Sequence, residues 1–201
     1  MVFLVIDKEF VNKIFTDYDS NIDIDMIEFE TKEEAEYYIE YGKIMQKNDE
    51  IIVFTDGACS KNGAKDAKAG IGVYFGVDDE RNVSRRIHGK QSNNTAEMLA
   101  IIEVFKILET EIKQGRKIII YSDSKYSIQT FIEWAPEWEK NNWIKKSKGE
   151  IKNIEIVKKG YQLFKMFRNV TINHVKGHSN KTDHLSKGNE GADLLARKAL
   201  L

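Results

Sequence analysis

Two short β-branched runs, Ile51–Thr55 and Ile118–Tyr121, are followed at once by acidic positions, Asp56 and, after Ser122, Asp123. Between them Leu99, Ile102, Phe105, Leu108 and Ile112 recur at three- and four-residue steps, so Asn93–Gln114 reads as a helix closed by Gly115. A strand, a long amphipathic helix and a second apolar strand leave few architectures open. The remaining periodicities fill in the order. Ile71–Gly76 and about 84–89 continue a meander, and Gly57–Gly70 reads as a turn-rich loop. A helix starts near Ser124, another spans Ile151–Phe167, a strand spans Val170–Val175, and a last helix opens at Gly188 or Asn189 and runs to Leu201. Three strands, helix, strand, helices, strand, helix is an α/β layer architecture with a mixed five-stranded sheet.

Charge divides the chain. Residues 1–46 carry a net −8 and residues 47–201 a net +7, almost cancelling over the 201 residues. This predicts a small acidic N-terminal appendage at 1–46 and a larger basic unit at 47–201, the latter suited to a polyanion such as nucleic acid. In the appendage, Val2–Ile6 reads as a short strand. Thr31-Lys-Glu-Glu34 is a capping box opening a helix that carries Ala35, Tyr38 and Ile39 and stops near Gly42. The polar stretch 45–50 reads as a linker. One Cys excludes an internal disulfide framework and a Cys-rich zinc site. No apolar run approaches the roughly 18–20 residues of a spanning helix, and the N-terminus has no secretory pattern. The expectation is a monomer in the cytoplasm or another reducing intracellular compartment, with no membrane contact.

Four acids sit where a core would not place them. Asp56 and Asp123 follow strands, Glu97 lies in the first turns of a helix, and Asp193 lies early in the last helix beside Leu194 and Leu195. Ligands of open α/β sheets gather at the carboxyl ends of strands. Carboxylates gathered there repel one another unless cations compensate them. All-oxygen ligation suits Mg²⁺ or Mn²⁺, and two such ions about 3.5–4 Å apart suit in-line displacement at a phosphodiester. For any acid alone, a turn former or a helix-dipole partner is the plainer reading.

The wording around the acids carries more. Phe54-Thr-Asp56-Gly-Ala-Cys-Ser-Lys-Asn62-Gly, Asn93-Asn-Thr-Ala-Glu97-Met, Tyr121-Ser-Asp123-Ser, His174-Val-Lys-Gly-His178-Ser and Gly188-Asn-Glu-Gly-Ala-Asp193-Leu-Leu-Ala-Arg stand in one order. The acids are spaced by 41, 26 and 70 residues. Together these motifs resemble the type 1 ribonuclease H family over residues 51–201. The resemblance implies a ribonuclease H-like fold and an endoribonuclease that cuts the RNA strand of RNA/DNA hybrids, leaving 5′-phosphate and 3′-hydroxyl ends. It implies Asp56, Glu97, Asp123 and Asp193 as ligands of two Mg²⁺, with Mn²⁺ as a substitute. It implies His178 as a loop histidine that helps water attack or product leave.

The same resemblance places Gly57, Ser60, Asn62, Asn93, Asn94 and Gln129 against the minor groove of the hybrid. Small and amide side chains can read 2′-hydroxyls there without reading bases. Asn94 has an alternative role as helix N-cap. Trp134, Trp138 and Trp143 interleave with lysines up to Lys148, a composition suited to a nucleic-acid backbone. Trp134 and Trp138 are the candidates for a DNA-strand channel, and Trp143 for core. Glu137 and Glu139 make this protrusion less basic than the family pattern. A long loop, Ser179–Lys187, separates His178 from the last acidic motif and makes His184 a fallback for the histidine. Alternatives are an inactive nucleic-acid-binding module of this fold, and a related nuclease acting on other duplexes. The nuclease part of a reverse transcriptase is set aside for want of a polymerase segment. The acidic appendage faintly resembles a hybrid-binding domain at Phe29–Tyr38, but its charge favours a contact with a protein partner or with the basic catalytic unit itself.

Overall fold

Ile51–Ser60 forms β1, whose Val53, Phe54 and Thr55 are buried, as expected of a strand covered on both faces. β2 (Lys68–Tyr74) runs antiparallel to it in the register Asp56↔Gly72, and β3 (Val83–Arg86) antiparallel to β2. On its other side β1 pairs in parallel with β4 (Ile118–Ser122), which pairs in parallel with β5 (Val170–His174). The sheet order is β3-β2-β1-β4-β5. The helices are α1 (Asn93–Ile107), α2 (Glu109–Lys113), α3 (Lys125–Gln129), α4 (Ala135–Lys140), α5 (Ile154–Met166) and α6 (His184–Lys198). A π-helical turn, Thr130–Trp134, joins α3 to α4. This computed structural model describes residues 50–145, 149–177 and 183–201. The chain divides after Asp49, and every one of these elements belongs to the unit Glu50–Leu201. The strand and helix expected within 1–46, Lys146, Lys148 and His178 lie outside the described residues.

The main core joins the sheet to α1 and α5 through Val53, Ile118, Ile120, Met98, Ile101, Phe105, Val157 and Phe164, with Phe131 of the π turn between them. Burial of a side chain of this size contributes about 1.5–3 kcal/mol. α6 covers the opposite face. A Cβ added to Gly72 would fall on the Ala192 carbonyl, and one added to Gly188 on the Phe54 ring. Glycine on both surfaces lets helix and strand touch. Gly72→Ala is therefore expected to cost about 2–3 kcal/mol, since backbone cannot yield as a side chain does. Urea unfolding of the full chain checks this, and an unchanged midpoint would count against the close approach.

Three expectations change. The segment Gly57–Ser60 belongs to β1, because the hairpin ladder with β2 continues to Ser60↔Lys68 and the turn occupies only the residues between. The last helix starts at His184, capped by Asp183, whose side chain accepts from the Ser186 amide. Gly188 suggests a start because glycine is poor in helix interiors, and Gly191 is poor there for the same reason. They lie inside α6 because Phe54 and Tyr74 fill the space a side chain would need. The expected loop Ser179–Lys187 accordingly gives up 184–187 to helix, and Asp193 sits in mid-helix. His184 is the exposed first residue of α6, with its ring 5.7 Å from Phe54. The helix expected from Ser124 is split into α3, the π turn and α4.

Candidate active site

Parallel pairing of β1 with β4 ends at Thr55↔Ser122. Asp56 and Asp123 are each the next residue, so they leave neighbouring strands at one level. Asp56 stays in β1, held by β2 alone, and its Oδ1 accepts the Gly57 amide at 2.7 Å. Glu97 arrives from α1. A Cβ on Gly57 would fall on the Glu97 amide nitrogen, so only glycine lets α1 press this close to β1. Asp193 arrives from α6, where a small face of Ala192 and Ala196 meets Gly72. The four acids line one open cavity of about 440 Å³.

Each acid is held by the protein. Glu97 Oε1 accepts from the Asn93 amide at 2.7 Å, and Oε2 accepts from Ser124 Oγ, with the buried Ser127 behind it at 3.5 Å. Asp123 Oδ2 accepts from Asn189 Nδ2 at 3.3 Å. Asn189 is only 4% exposed and its Oδ1 is left without a partner. Asp193 pairs with Arg197 four residues along α6 at 2.5 Å. Burial, then the charge of Asp123, and beyond them Asp193 and Glu97, push the Asp56 carboxyl up to about 8, against the pull of the Gly57 amide. Burial also raises Glu97, opposed by the Ser124 hydroxyl.

Among the described residues, no three acids, histidines or cysteines converge as a ready-made metal cage, since each acid is turned onto its own partner. The donor set nonetheless fits a hard divalent cation. It is all oxygen, and burial, followed by the charges of Asp123, Asp193 and Glu97, pushes the Asp56 carboxyl up to about 8, a cost that a cation in the cavity would relieve.

The other expected contact residues spread around the cavity. Asn93 lines it, and its backbone amide donates to Asn62 Oδ1 at 3.3 Å, tying the β1–β2 turn to α1. Ser60 ends β1 with Oγ donating to the Lys68 carbonyl at 3.3 Å. Asn94 is exposed in the first turn of α1 and does not cap it. The cap is Ser92, whose side chain accepts from Thr95 N–H at 3.3 Å. Gln129 ends α3 and is not among the residues that line the cavity; its amide is 3.4 Å from Glu133. Trp134 lies between Tyr126, met edge-on, and Trp138, met at a tilt, at ring distances of 5.7 and 6.0 Å. Trp143 packs against Tyr161 and, like Trp138, touches the core. His178 is outside the described residues, but its neighbour Gly177 lies against Asp123, where a Cβ would strike the carboxylate. Sequence reasoning missed Ser124, Ser127, Asn189 and Arg197. Ser124, Asn189 and Arg197 stand inside the quoted motifs, and a polar or charged residue near an acid was the available signal.

The ribonuclease H family model matches residues 48–201. The chain belongs to the ribonuclease H family. Relatives include ribonuclease H of Schizosaccharomyces pombe, 38% identical over 92% of this chain and 63% of its own length. Human ribonuclease H1 is 36% identical over 75% of this chain and 50% of its own length. The chain thus spans about half to two thirds of these relatives. Ribonuclease H of Francisella tularensis subsp. novicida, 34% identical, is matched over 95% of its length. Among solved structures, the PFV RNase H domain shares the ribonuclease H fold, with a TM-score of 0.58 at 24% identity over 74% of this chain and 93% of that one. These matches bear out the type 1 ribonuclease H resemblance and the mixed-sheet fold. Among the described residues no helix is long and apolar enough to cross a membrane.

Proposed function

We propose that this ribonuclease H-family chain is an endoribonuclease that cleaves the RNA strand of RNA/DNA hybrids to 5′-phosphate and 3′-hydroxyl ends. One observation carries the reading: acids from β1, α1, the end of β4 and α6 share one cavity, where burial and then the neighbouring charges push the Asp56 carboxyl up to about 8. Asp56, Glu97, Asp123 and Asp193 would hold two Mg²⁺, or Mn²⁺. Bound there, the metal supplies a water of lowered pKa and neutralises charge on the leaving 3′-oxygen.

The chain's own residues do the rest. Ser124, Ser127 and Asn93 fix the Glu97 carboxylate, and Asn189 fixes Asp123, so the acids keep one geometry as substrate arrives. Arg197 pairs with Asp193 and lines the same cavity, which places a cation beside the acids. His178, one peptide beyond Gly177, is proposed to move a proton at the attacking water or the departing product. Asn62 and Asn93, joined on the rim, offer amide groups to 2′-hydroxyls, with Gly57, Ser60, Asn94 and Gln129 extending the groove. Trp134 and Trp138 offer ring faces to the DNA strand. Residues 1–46, with their net −8, are proposed as a separate unit that meets a protein partner rather than phosphates.

The test is cleavage of an end-labelled RNA/DNA hybrid beside duplex RNA, duplex DNA and single strands, with Mg²⁺ or with chelator. Hybrid-only cleavage that stops with chelator is expected. Binding without cleavage, or equal cutting of duplex RNA, would overturn the reading.

A further inference from the structure

Glu137 and Glu139 are acids in a segment where a phosphate-gripping surface wants bases. The structure shows where their charges go. Glu137 accepts from Lys140 Nζ at 2.8 Å within α4. Glu139 reaches across to α5, where both carboxylate oxygens are used. Tyr161 Oη donates to Oε2 at 2.8 Å, and Lys165 Nζ donates to Oε2 at 2.9 Å and Oε1 at 3.1 Å. Gln162 Nε2 donates to Oε1 at 3.2 Å. Lys165 first, then Tyr161, holds the Glu139 carboxyl below the usual carboxylate range.

α4 needs such a tie. It has six residues, is entered through a π-helical turn, and is too short to hold a direction alone. Asn142 and Trp143 come next, in the left-handed region at φ 52° and 60°, and the Trp143 amide donates back to the Trp138 carbonyl at 2.6 Å. Trp143 then meets Tyr161, with Lys158 over its ring at 5.4 Å. α5 itself is anchored in the core by Val157 and Phe164.

We infer that Glu139 is a positioning residue that fixes the angle at which Trp134 and Trp138 face a nucleic-acid strand. The inference rests on the proposed role of those tryptophans. It makes a prediction opposite to that of simple electrostatics. If Glu139 merely repelled phosphates, Glu139→Lys would tighten binding. As a tie to α5, it weakens binding although a positive charge is gained. The expected result is a KM for hybrid about fivefold higher in Glu139→Lys, with kcat within twofold. Lys165→Glu does the same, and the charge-swapped double variant returns KM to within twofold of the parent.

The chain's three tryptophans all lie between residues 134 and 143, so intrinsic fluorescence reads this segment without substrate. Emission shifts to the red in each single variant and returns in the swap. A lowered KM in Glu139→Lys, or emission identical to the parent, would overturn the inference. Restored emission in a chain that cleaves no hybrid would instead overturn the hybrid reading and leave the tie standing.

Discussion

Asp123→Asn is expected to reduce hybrid cleavage at least ~10³-fold while raising the melting temperature of the metal-free protein. The two halves have one cause. A carboxylate that helps hold the cation contributes several kcal/mol to the reacting charge, and each 1.36 kcal/mol is tenfold in rate. In the metal-free protein the same carboxylate is a liability, since its charge is the largest electrostatic reason that Asp56 is driven up to about 8. The amide of Asn keeps the volume and removes that repulsion. Asn189 Nδ2 still finds an oxygen to donate to. A single-turnover assay and calorimetry on the same variant settle both halves. A loss under tenfold would remove Asp123 from the cation site. A fall in melting temperature would mean that its hydrogen bond to Asn189 outweighs the repulsion.

Two of the four proposed catalytic acids were legible because they sit at a boundary that the sequence marks. Asp56 and Asp123 end apolar runs, and a parallel register places both at one level whatever the details. Glu97 was legible through its motif, but not its approach: Gly57 reads as part of a loop and is a strand residue that admits the helix. The start of α6 misleads for the same reason. Glycines that look like breaks in a helical pattern are contacts with Phe54 and Tyr74, and that depends on the partner surface, which local sequence does not contain. Glu139 reads as a weakness in a basic surface, because the donors that use its charge lie more than twenty residues later in α5. Long-range partners of polar side chains are what periodicity leaves out.

The metal-free protein is expected to lose stability as pH rises from about 5 to 8.5, and divalent cation is expected to restore it at the upper end. Asp56 has an ordinary value of 3.8 and stands at about 8 in the fold. Between those values the native state keeps a proton that the unfolded chain has released. Folding is therefore favoured at the acid end of that window and loses ground until the native carboxyl ionises, above which the curve flattens. Glu97, raised by burial, works in the same direction. A shift of this size, discounted by about half for solvent reaching the open cavity, amounts to about 3 kcal/mol. For a domain of this length that is about 6–12 °C in Tm. A cation competes with the Asp56 proton, so its binding strengthens as pH rises. At about 100 times its Kd, Mg²⁺ stabilises by roughly 2.7 kcal/mol. Calorimetry of the full chain at pH 5.5 and 8.5, with Mg²⁺ or with chelator, gives four Tm values. The cation shift is expected to be several degrees at pH 8.5 and near zero at pH 5.5, and Asp56→Asn is expected to flatten both dependences. Equal cation shifts at the two pH values would mean that the ion binds away from Asp56. A metal-free Tm that climbs with pH would mean that the four acids do not share one field.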